Sequence, residues 1–396
     1  MARLRPNSIA MTILLGGLAA LPPLAIDLAL PALPQIGEQL HGSAAGAGLT
    51  LSLFMAGFAS TQLALGPLSD RIGRRPVLIG GMLVFTLGGL GCAFAPTVPL
   101  LLVARLLQGT GAAAGSVLAY AIVRDLFAGD AARQKFAAVA VVSSVAPVIG
   151  PTLGAMILGV TDWRGIYGVL AAAGLLLTVG VVFGMAETRP RFAGMRPGLV
   201  GSYRQVLGHR RVSGFILANA LSFGCMFAYV AGSSLVFVGV MGVSTTVFAL
   251  LFAATAGAAL LGAAFAGWLA RAGVPPDVPL RAGVAAQAAG ACALIPALLV
   301  TPRIAVLLPL MMVGTFCRGL FVPTATHAAM EPLPELAGST AAVLGCLQMA
   351  VGAVSSAIVA LLFPLFGPVA MALTMAAFGT AAAVVCLRTA DRRALA

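Results

Sequence analysis

Twelve stretches of mainly apolar residues, each about as long as a bilayer-spanning helix, run through the 396-residue chain. A membrane helix needs about 20 consecutive, predominantly apolar residues. Only 9% of the residues are charged, whereas a soluble domain has about 25%. The sequence therefore predicts an all-α integral membrane protein, and breaks at Arg, Pro, Gly and acidic residues place its twelve transmembrane helices near 8–31, 49–68, 77–95, 99–120, 136–158, 165–185, 212–238, 246–269, 282–300, 304–324, 340–362 and 367–387.

The basic residues mark the orientation of these spans. The formal net charge is +12, but the basic residues lie at span ends and do not form a nucleic-acid-binding patch. Arg164 and Arg303 fall in loops on one side and Arg105 and Arg318 fall inside spans; the other 19 of the 23 lie on the opposite side. An excess of Arg and Lys marks cytoplasmic loops. The pattern predicts a multi-pass protein of the bacterial inner (plasma) membrane with both termini in the cytoplasm.

The chain divides into two similar halves. Segment 186–211 is rich in Arg, Gly and Pro and separates six spans from six. GPLSDRIG at 66–73 follows the second span, and a degraded copy, GWLARAG at 267–273, follows the eighth. Parallel repeats of this kind are typical of transporters that bind substrate between their halves. The predicted parts are two pseudo-symmetric six-helix bundles joined by a cytoplasmic linker, with bounds 1–188, 189–211 (linker) and 212–396.

Several motifs carry a resemblance to a known family. GPLSDRIGRRPV (66–77) resembles the loop signature of the major facilitator superfamily, RLLQG (105–109) resembles its second signature, and GPTLG (150–154) resembles the motif of its exporters. With IDLALPALPQI (26–36) and ETRP (187–190), the chain is similar to the Bcr/CflA subgroup of twelve-span drug:proton antiporters.

That resemblance implies the major facilitator fold and a secondary active transporter rather than an enzyme. It implies a monomer in the lipid bilayer whose partners are protons and a small amphiphilic drug or metabolite. The proton gradient would drive transport, with no cofactor and no metal. No GxxxxGK[ST] phosphate loop for an ATP-driven pump is found in the sequence.

The 66–77 motif is the candidate conformational latch. Gly66 and Gly73 permit a tight turn, and the resemblance implies that Asp70 helps to hold the halves together in one state, near the start of span 11 and an Arg at the end of span 4. A plain topology loop is the alternative. The latch candidates are Gly66, Asp70, Arg71, Gly73, Arg74, Arg75 and Arg124.

The exporter-like motif of span 5 lacks bulky side chains and backbone donors. Its Gly and Pro residues allow a bend and close helix packing. The resemblance implies an antiporter hinge, whereas ordinary small-residue packing is the alternative. The hinge candidates are Pro147, Gly150, Pro151 and Gly154.

Asp27 is the one carboxylate inside a predicted span; the other ten acidic residues fall in loops or the C-terminal tail. A charged Asp at a helix centre costs about 2.5 to 3.5 kcal/mol on insertion scales, so such residues face a bundle interior or cavity. A carboxyl group whose hydration alternates would bind and release a proton. Asp27 is therefore the predicted proton site, although a static ion pair or a role in the kinked, Pro-rich backbone stays open.

Two arginines lie inside spans with Asp27. Arg105 matches Asp27 in predicted depth and is its predicted partner, and the resemblance ties it to proton coupling; snorkelling to the outer interface is the alternative. Arg318 would either select substrate groups or reach the cytoplasmic interface about six residues away.

Polar and aromatic residues within spans are the clue to a substrate pocket. They share helix faces at helical spacing, which is also typical of packing. The candidates are Phe54 and Phe58 in span 2, Ser116 and Tyr120 in span 4, Asn219, Phe223 and Phe227 in span 7, and Arg318 in span 10.

The sequence predicts a proton-coupled efflux antiporter for drugs or other small molecules that works by alternating access. A proton-coupled exporter or importer of a metabolite on the same fold is the alternative. A membrane enzyme or receptor is disfavoured because His41, His209 and His327 lie in loops or at span ends, with no nucleophile and base nearby in the pattern.

Overall fold

The chain forms long helices throughout the part that a computed structural model describes, residues 4–40, 44–188, 199–300 and 302–391. Twelve helical segments within these ranges are long and apolar enough to cross a membrane, the first of them Ile9–Gln39 and the seventh Arg210–Val240. The helices are α1 (Ile9–Asp27), α2 (Leu33–Gln39), α3 (Ala44–Ile72), α4 (Arg74–Ala93), α5 (Val98–Leu126), α6 (Gly129–Leu158), α7 (Trp163–Gly184), α8 (Leu199–Gly208), α9 (Arg210–Ser234), α10 (Thr245–Arg271), α11 (Asp277–Val300), α12 (Ile304–Met330), α13 (Ala337–Phe366) and α14 (Val369–Asp391).

Two compact units make up the fold. The first comprises residues 1–42 and 53–195, and the second comprises 43–52 and 196–396. In the first unit α1 packs on α5, α6 and α7, and α4 packs on α5 and α7; in the second, α9 packs on α12, α13 and α14, and α11 packs on α12 and α14. The same pairing of corresponding helices in each unit confirms the predicted pseudo-symmetry. Of the predicted linker, 189–198 lies outside the described residues, and α8 occupies 199–208.

Glycines let corresponding helices approach closely in both units. A side chain at Gly109 of α5 would collide with the Phe54 carbonyl of α3, and one at Gly319 of α12 would collide with the Ala259 carbonyl of α10. Small residues permit such backbone contact between membrane helices. The two contacts correspond, so the residues just before the glycines, Gln108 and Arg318, occupy equivalent places.

The first membrane-spanning segment is broken rather than continuous. Ser8 caps the start of α1 by accepting the Met11 N–H. The helix ends at Asp27 and is followed by a short 3₁₀ turn, Leu30–Ala32, and by α2. Pro31 and Pro34 stand at the first turns of these two elements, where the missing N–H of proline is tolerated. The sequence thus ends α1 at its carboxylate.

Candidate functional site

The predicted proton site lies at the break between α1 and α2. Asp27 is the last residue of α1 and is only 5% exposed. Its carboxyl group has no hydrogen-bond or ion-pair partner among the described residues. A buried charge without a partner is costly, so this position is unfavourable for a permanently ionised group.

The exporter-like motif of α6 packs directly against this break. A Cβ atom at Gly150 would lie 2.7 Å from the Asp27 Cβ, and a Cβ at Gly154 would collide with the Leu28 carbonyl. Pro147 and Pro151 both lie inside α6, which is helical from Gly129 to Leu158. The glycines of the motif are therefore required for the close approach of α6 to Asp27.

Arg105 of α5 is fully buried beside the same turn of α1. Its Nη1 donates to the Gln108 Oε1 at 2.7 Å and to the Ala25 carbonyl at 3.3 Å. The guanidinium lies 4.5 Å from the ring centroid of Phe54 and 5.4 Å from that of Tyr167. Cation–π contacts of this kind stabilise a desolvated guanidinium.

The predicted Asp27–Arg105 ion pair is not formed in this structure. The two residues do belong to one site, because Arg105 binds the Ala25 carbonyl two residues before Asp27. However, Arg105 is directed to an amide oxygen, a backbone carbonyl and two aromatic rings rather than to the carboxylate. Helix depth could be estimated from the sequence, whereas side-chain direction could not.

The 66–77 motif forms the junction between α3 and α4. Gly73 has a φ of 111°, which favours glycine, and forms a one-residue break between the two helices. Arg74 follows it with a side chain only 1% exposed, bonded to Asp70 at 2.7 Å and to Asp125 at the end of α5 at 2.8 Å. It also donates to the Ser69 hydroxyl. Arg74 therefore ties α3, α4 and α5 together.

Glu187, just beyond α7, completes this junction. Its carboxylate accepts the backbone N–H groups of Arg74 at 2.8 Å and of Arg75 at 3.3 Å. Both groups belong to the first turn of α4, where unpaired donors and the helix dipole favour an anion. Arg75 donates its guanidinium to the Val182 carbonyl of α7. The sequence analysis did not predict this role of Glu187. The signal that was available was its position in the ETRP motif.

Parts of the latch prediction need correction. Gly66 lies within α3, not in a turn, and a side chain there would meet no atom within 4 Å. The helix continues to Ile72 because one glycine, Gly73, is enough to reverse the chain. Asp70 pairs with Arg74, while Arg71 and Arg124 are exposed. The predicted contact of Asp70 with span 11 stays a prediction.

The substrate candidates of the first unit are only partly brought together. Phe54 is buried against Arg105, and Phe58, one turn further along α3, is also buried. Tyr120 is half-buried and stacks on Phe136 of α6 at 6.1 Å between ring centroids. Ser116 is half-buried on α5. The aromatic rings of Phe54 and Tyr120 thus belong to different contacts.

In the second unit, Asn219 forms an interhelical hydrogen-bond network. It donates to the Thr326 hydroxyl of α12 at 3.0 Å and accepts from the Gln348 amide of α13 at 2.8 Å. Phe223 and Phe227, one and two turns later on α9, stack with centroids 4.6 Å apart. The Asn219 side chain is therefore used in helix packing.

The helix that carries Arg318 extends further beyond this residue than the sequence predicted. α12 continues to Met330, twelve residues beyond Arg318, instead of ending near residue 324. At 1.5 Å per residue, Arg318 is about 18 Å from that end. The guanidinium lies 5.6 Å from the Phe223 ring centroid and lines a small cavity of about 20 Å³. The interpretation that Arg318 reaches the cytoplasmic interface stays a prediction.

Comparisons with known proteins agree with this architecture. The family model described as Major Facilitator Superfamily matches residues 15–357. The chain belongs to this superfamily. It is 33% identical over 357 residues to the uncharacterized MFS-type transporter YdgK of Bacillus subtilis, covering 89% of this chain and 88% of that protein. It is 29% identical to multidrug resistance protein D of Escherichia coli, covering 98% of each chain.

Other comparisons refine and limit this assignment. A bicyclomycin resistance protein homolog of Haemophilus influenzae is 29% identical, with 87% of each chain covered. A crystal structure of a bacterial homolog of the human lysosomal transporter Spinster superposes with a TM-score of 0.79 over 98% of this chain and 97% of that one, at 14% identity. The last likeness shows the major facilitator fold alone. Together these findings confirm a transporter rather than an enzyme, and they support the predicted subgroup.

Proposed function

We propose that this superfamily member exports small amphiphilic drugs or metabolites in exchange for protons, with Asp27 as the proton-carrying group. The observation that supports the proposal is the site of Asp27: a buried carboxyl without a partner, at a helix break, in direct contact with the exporter-like motif. Relatives named for multidrug and bicyclomycin resistance support the same substrate class.

A broken helix suits this role because its end moves with its packing partner. Among the residues that the structure describes, Asp27 has no ion pair to hold it charged, and its Cβ rests on the backbone of α6 at Gly150. A small displacement of α6 would change the hydration of the carboxyl group, and hydration favours the charged form. Proton binding at Asp27 would thereby be linked to the conformation of α1 and α6.

Arg105 is a positioning residue in this scheme. By binding the Ala25 carbonyl it fixes the last turn of α1 before Asp27. Its positive charge, held by Gln108 and two aromatic rings, stabilises a carboxylate when the proton leaves. The carboxyl group would therefore exchange protons without a permanent salt bridge.

The energy available is adequate for active export. One proton driven by 100 mV carries about 2.3 kcal/mol, which sustains roughly a 50-fold gradient of a neutral substrate. We further propose that the protein is monomeric, lies in the bacterial inner membrane, and has both termini in the cytoplasm, where the basic loop residues would lie.

Proton movement in everted membrane vesicles tests the proposal. An imposed pH gradient is challenged with phenicols, bicyclomycin-like compounds, sulfonamides and lipophilic cations, in wild type and in Asp27→Asn. The matched control is Asp130→Asn, since the Asp130 side chain is 84% exposed.

We expect that at least one compound dissipates the pH gradient with wild type and with Asp130→Asn, but not with Asp27→Asn. Equal dissipation in all three proteins would remove Asp27 from proton coupling. Movement of substrate in the same direction as the proton would instead establish an importer, the alternative function. If no compound in the panel dissipates the pH gradient, drug export is contradicted. Metabolite mixtures would then test for a metabolite exporter.

A further inference from the structure

A second intramembrane arginine lies near the middle of α12 in the second unit and is not used by the proposed proton site. Arg318 is fourteen residues from the start of α12 and twelve from its end. Charged residues at this depth are costly and face a bundle interior or a cavity. Arg318 faces the cavity described above, which is enclosed by α9, α11, α12 and α14.

The other polar groups that line the cavity already have partners. The Gln287 amide accepts from the Ser222 hydroxyl at 2.7 Å and donates to the Ser222 carbonyl at 3.3 Å. The Tyr229 hydroxyl lies 2.8 Å from that of Thr255. Thr315 donates to carbonyls of its own helix at 3.1 Å. These groups leave little free hydrogen-bonding capacity for a ligand.

Arg318 differs from these groups. Within the described residues, its buried Nε has no hydrogen-bond partner and no carboxylate lies within 4 Å of its guanidinium. The face of Phe223 contacts the guanidinium but supplies no hydrogen-bond acceptor. The remaining walls are largely apolar, with Met226, Leu294, Leu310, Met311 and Met375 among them.

We infer that this cavity binds a monovalent anionic group at Arg318, either the carboxylate of a transported substrate or a chloride ion. A guanidinium presents a fork of donors that matches an anion, and an acceptor from a ligand would satisfy the Nε that the protein leaves unpaired. The cavity of about 20 Å³ has room for one small ion such as chloride, so the carboxylate of a larger substrate would reach Arg318 only when the apolar walls separate. The interpretation of the anion as part of a substrate rests on the proposed function. If it holds, the exported substrate carries an anionic or zwitterionic group.

Equilibrium binding to the purified full-length protein tests this inference. Thermal unfolding in detergent is followed with sodium gluconate as the background salt, because gluconate is too bulky and polar for the apolar cavity. Salicylate is titrated against salicylamide, its neutral analogue of nearly the same shape, and chloride is titrated separately. A ligand that binds the folded state raises the unfolding temperature, and the stabilisation grows with the logarithm of one plus the ratio of the free ligand concentration to Kd.

The variants are Arg318→Gln, Arg318→Lys and, as a matched control, Arg271→Gln, whose arginine is exposed at the end of α10. Salicylate or chloride should stabilise the wild type and Arg271→Gln, whereas salicylamide should not. Arg318→Gln should weaken anion binding by at least about tenfold, and Arg318→Lys should retain part of it because the charge remains. Competition between the two anions would identify one shared site, and stabilisation by chloride alone would identify an ion site.

Equal stabilisation by salicylate and salicylamide in the wild type would overturn the inference, as would unchanged anion binding in Arg318→Gln. The wild-type comparison requires no substitution, so it decides the matter even where a variant does not fold. Asp27→Asn should still bind the anion, because this equilibrium measurement needs no proton gradient. A failure of proton coupling and a failure of anion binding are thus distinguishable.

Discussion

Each unit holds one arginine inside a membrane span, and the two arginines have different surroundings. Arg105 reaches the amide of Gln108, and the contacts of Gly109 and Gly319 make Gln108 the counterpart of Arg318. The first unit surrounds its cation with an amide oxygen, a backbone carbonyl and two aromatic rings. The second unit gives Arg318 one ring and a cavity. The two cations thus differ in their surroundings, because Arg105 has two acceptors and two rings whereas Arg318 has one ring and a cavity.

The junctions after the second span of each unit show the same contrast. In the first unit Arg74 is buried between Asp70 and Asp125. In the second unit the residue after the corresponding glycine, Gly273, is Val274, and the retained Arg271 is exposed and donates to the Gly267 carbonyl of its own helix. Duplicated folds therefore need not duplicate their charge networks, and the second copy lacks counterparts of both Arg74 and Asp70.

Replacement of the two junction arginines should show the largest difference. Arg74→Gln leaves Asp70 and Asp125 without their shared cation in a largely buried site, and breaking such a network costs about 3 to 5 kcal/mol. Arg271→Gln should change stability by less than about 0.5 kcal/mol, as expected for a surface substitution. The free energy of unfolding of both variants is measured by titration with a denaturing detergent in mixed micelles. Equal losses of stability would contradict the contrast between the two junctions.

The two intramembrane arginines should differ next. Arg105→Met leaves the Gln108 Oε1 and the Ala25 carbonyl without their donor and removes two cation–π contacts, for a loss of about 2 to 4 kcal/mol. Arg318→Met removes a cation that lacks an acceptor, so its cost should be below about 1 kcal/mol, or stability should rise. The same unfolding assay, run without small anions, compares them. A greater loss for Arg318→Met would show that the second unit satisfies its cation after all.

A methyl group at the α1–α6 contact should have an intermediate effect. Gly150→Ala places a Cβ 2.7 Å from the Asp27 Cβ, and overpacking of this kind costs about 1 to 3 kcal/mol. Gly257→Ala in α10 is the matched control, since a Cβ there meets nothing within 4 Å. Vesicle transport should fall strongly in the first variant alone. Full transport by Gly150→Ala would show that α1 and α6 need not approach so closely.

The smallest expected effect concerns a single interhelical hydrogen bond. Ser222→Ala removes the donor to the Gln287 amide that lines the Arg318 cavity, and such bonds in membrane proteins average about 0.6 kcal/mol. Ser144→Ala is the control, because Ser144 is exposed and bonds only to the Ala140 carbonyl of its own helix. Anion binding at Arg318 should persist in both variants. Its loss in Ser222→Ala would assign the amide a direct part in the site.

The sequence predicted the elements well because hydropathy and charge decide them. Twelve spans and two halves follow from the cost of placing charge and unpaired backbone in lipid. Asp27 was found by the same rule, since a lone carboxylate in an apolar stretch is conspicuous. The Gly and Pro residues of α6 were found by resemblance, and the structure supplies their physical reason in the contact with Asp27.

The errors concern where helices end and where long side chains point. One residue, Gly73, reverses the chain, so α3 continues through Gly66 and Pro67 to Ile72. α12 likewise continues past Pro323 to Met330, so the helix extends twelve residues beyond Arg318. Arg105 has several possible acceptors within reach, and tertiary packing alone selects the Ala25 carbonyl and Gln108. Local sequence contains none of that information.

Glu187 also determines how mechanical load enters the first unit. It follows α7 directly, and its carboxylate is clamped to the first two N–H groups of α4. A force that pulls on the chain beyond residue 188 is therefore transmitted to the α3–α4 junction through the two hydrogen bonds of Glu187, as well as to the end of α7. Tension in the connecting segment would be transmitted to Gly73 and Arg74, at the centre of the charge network.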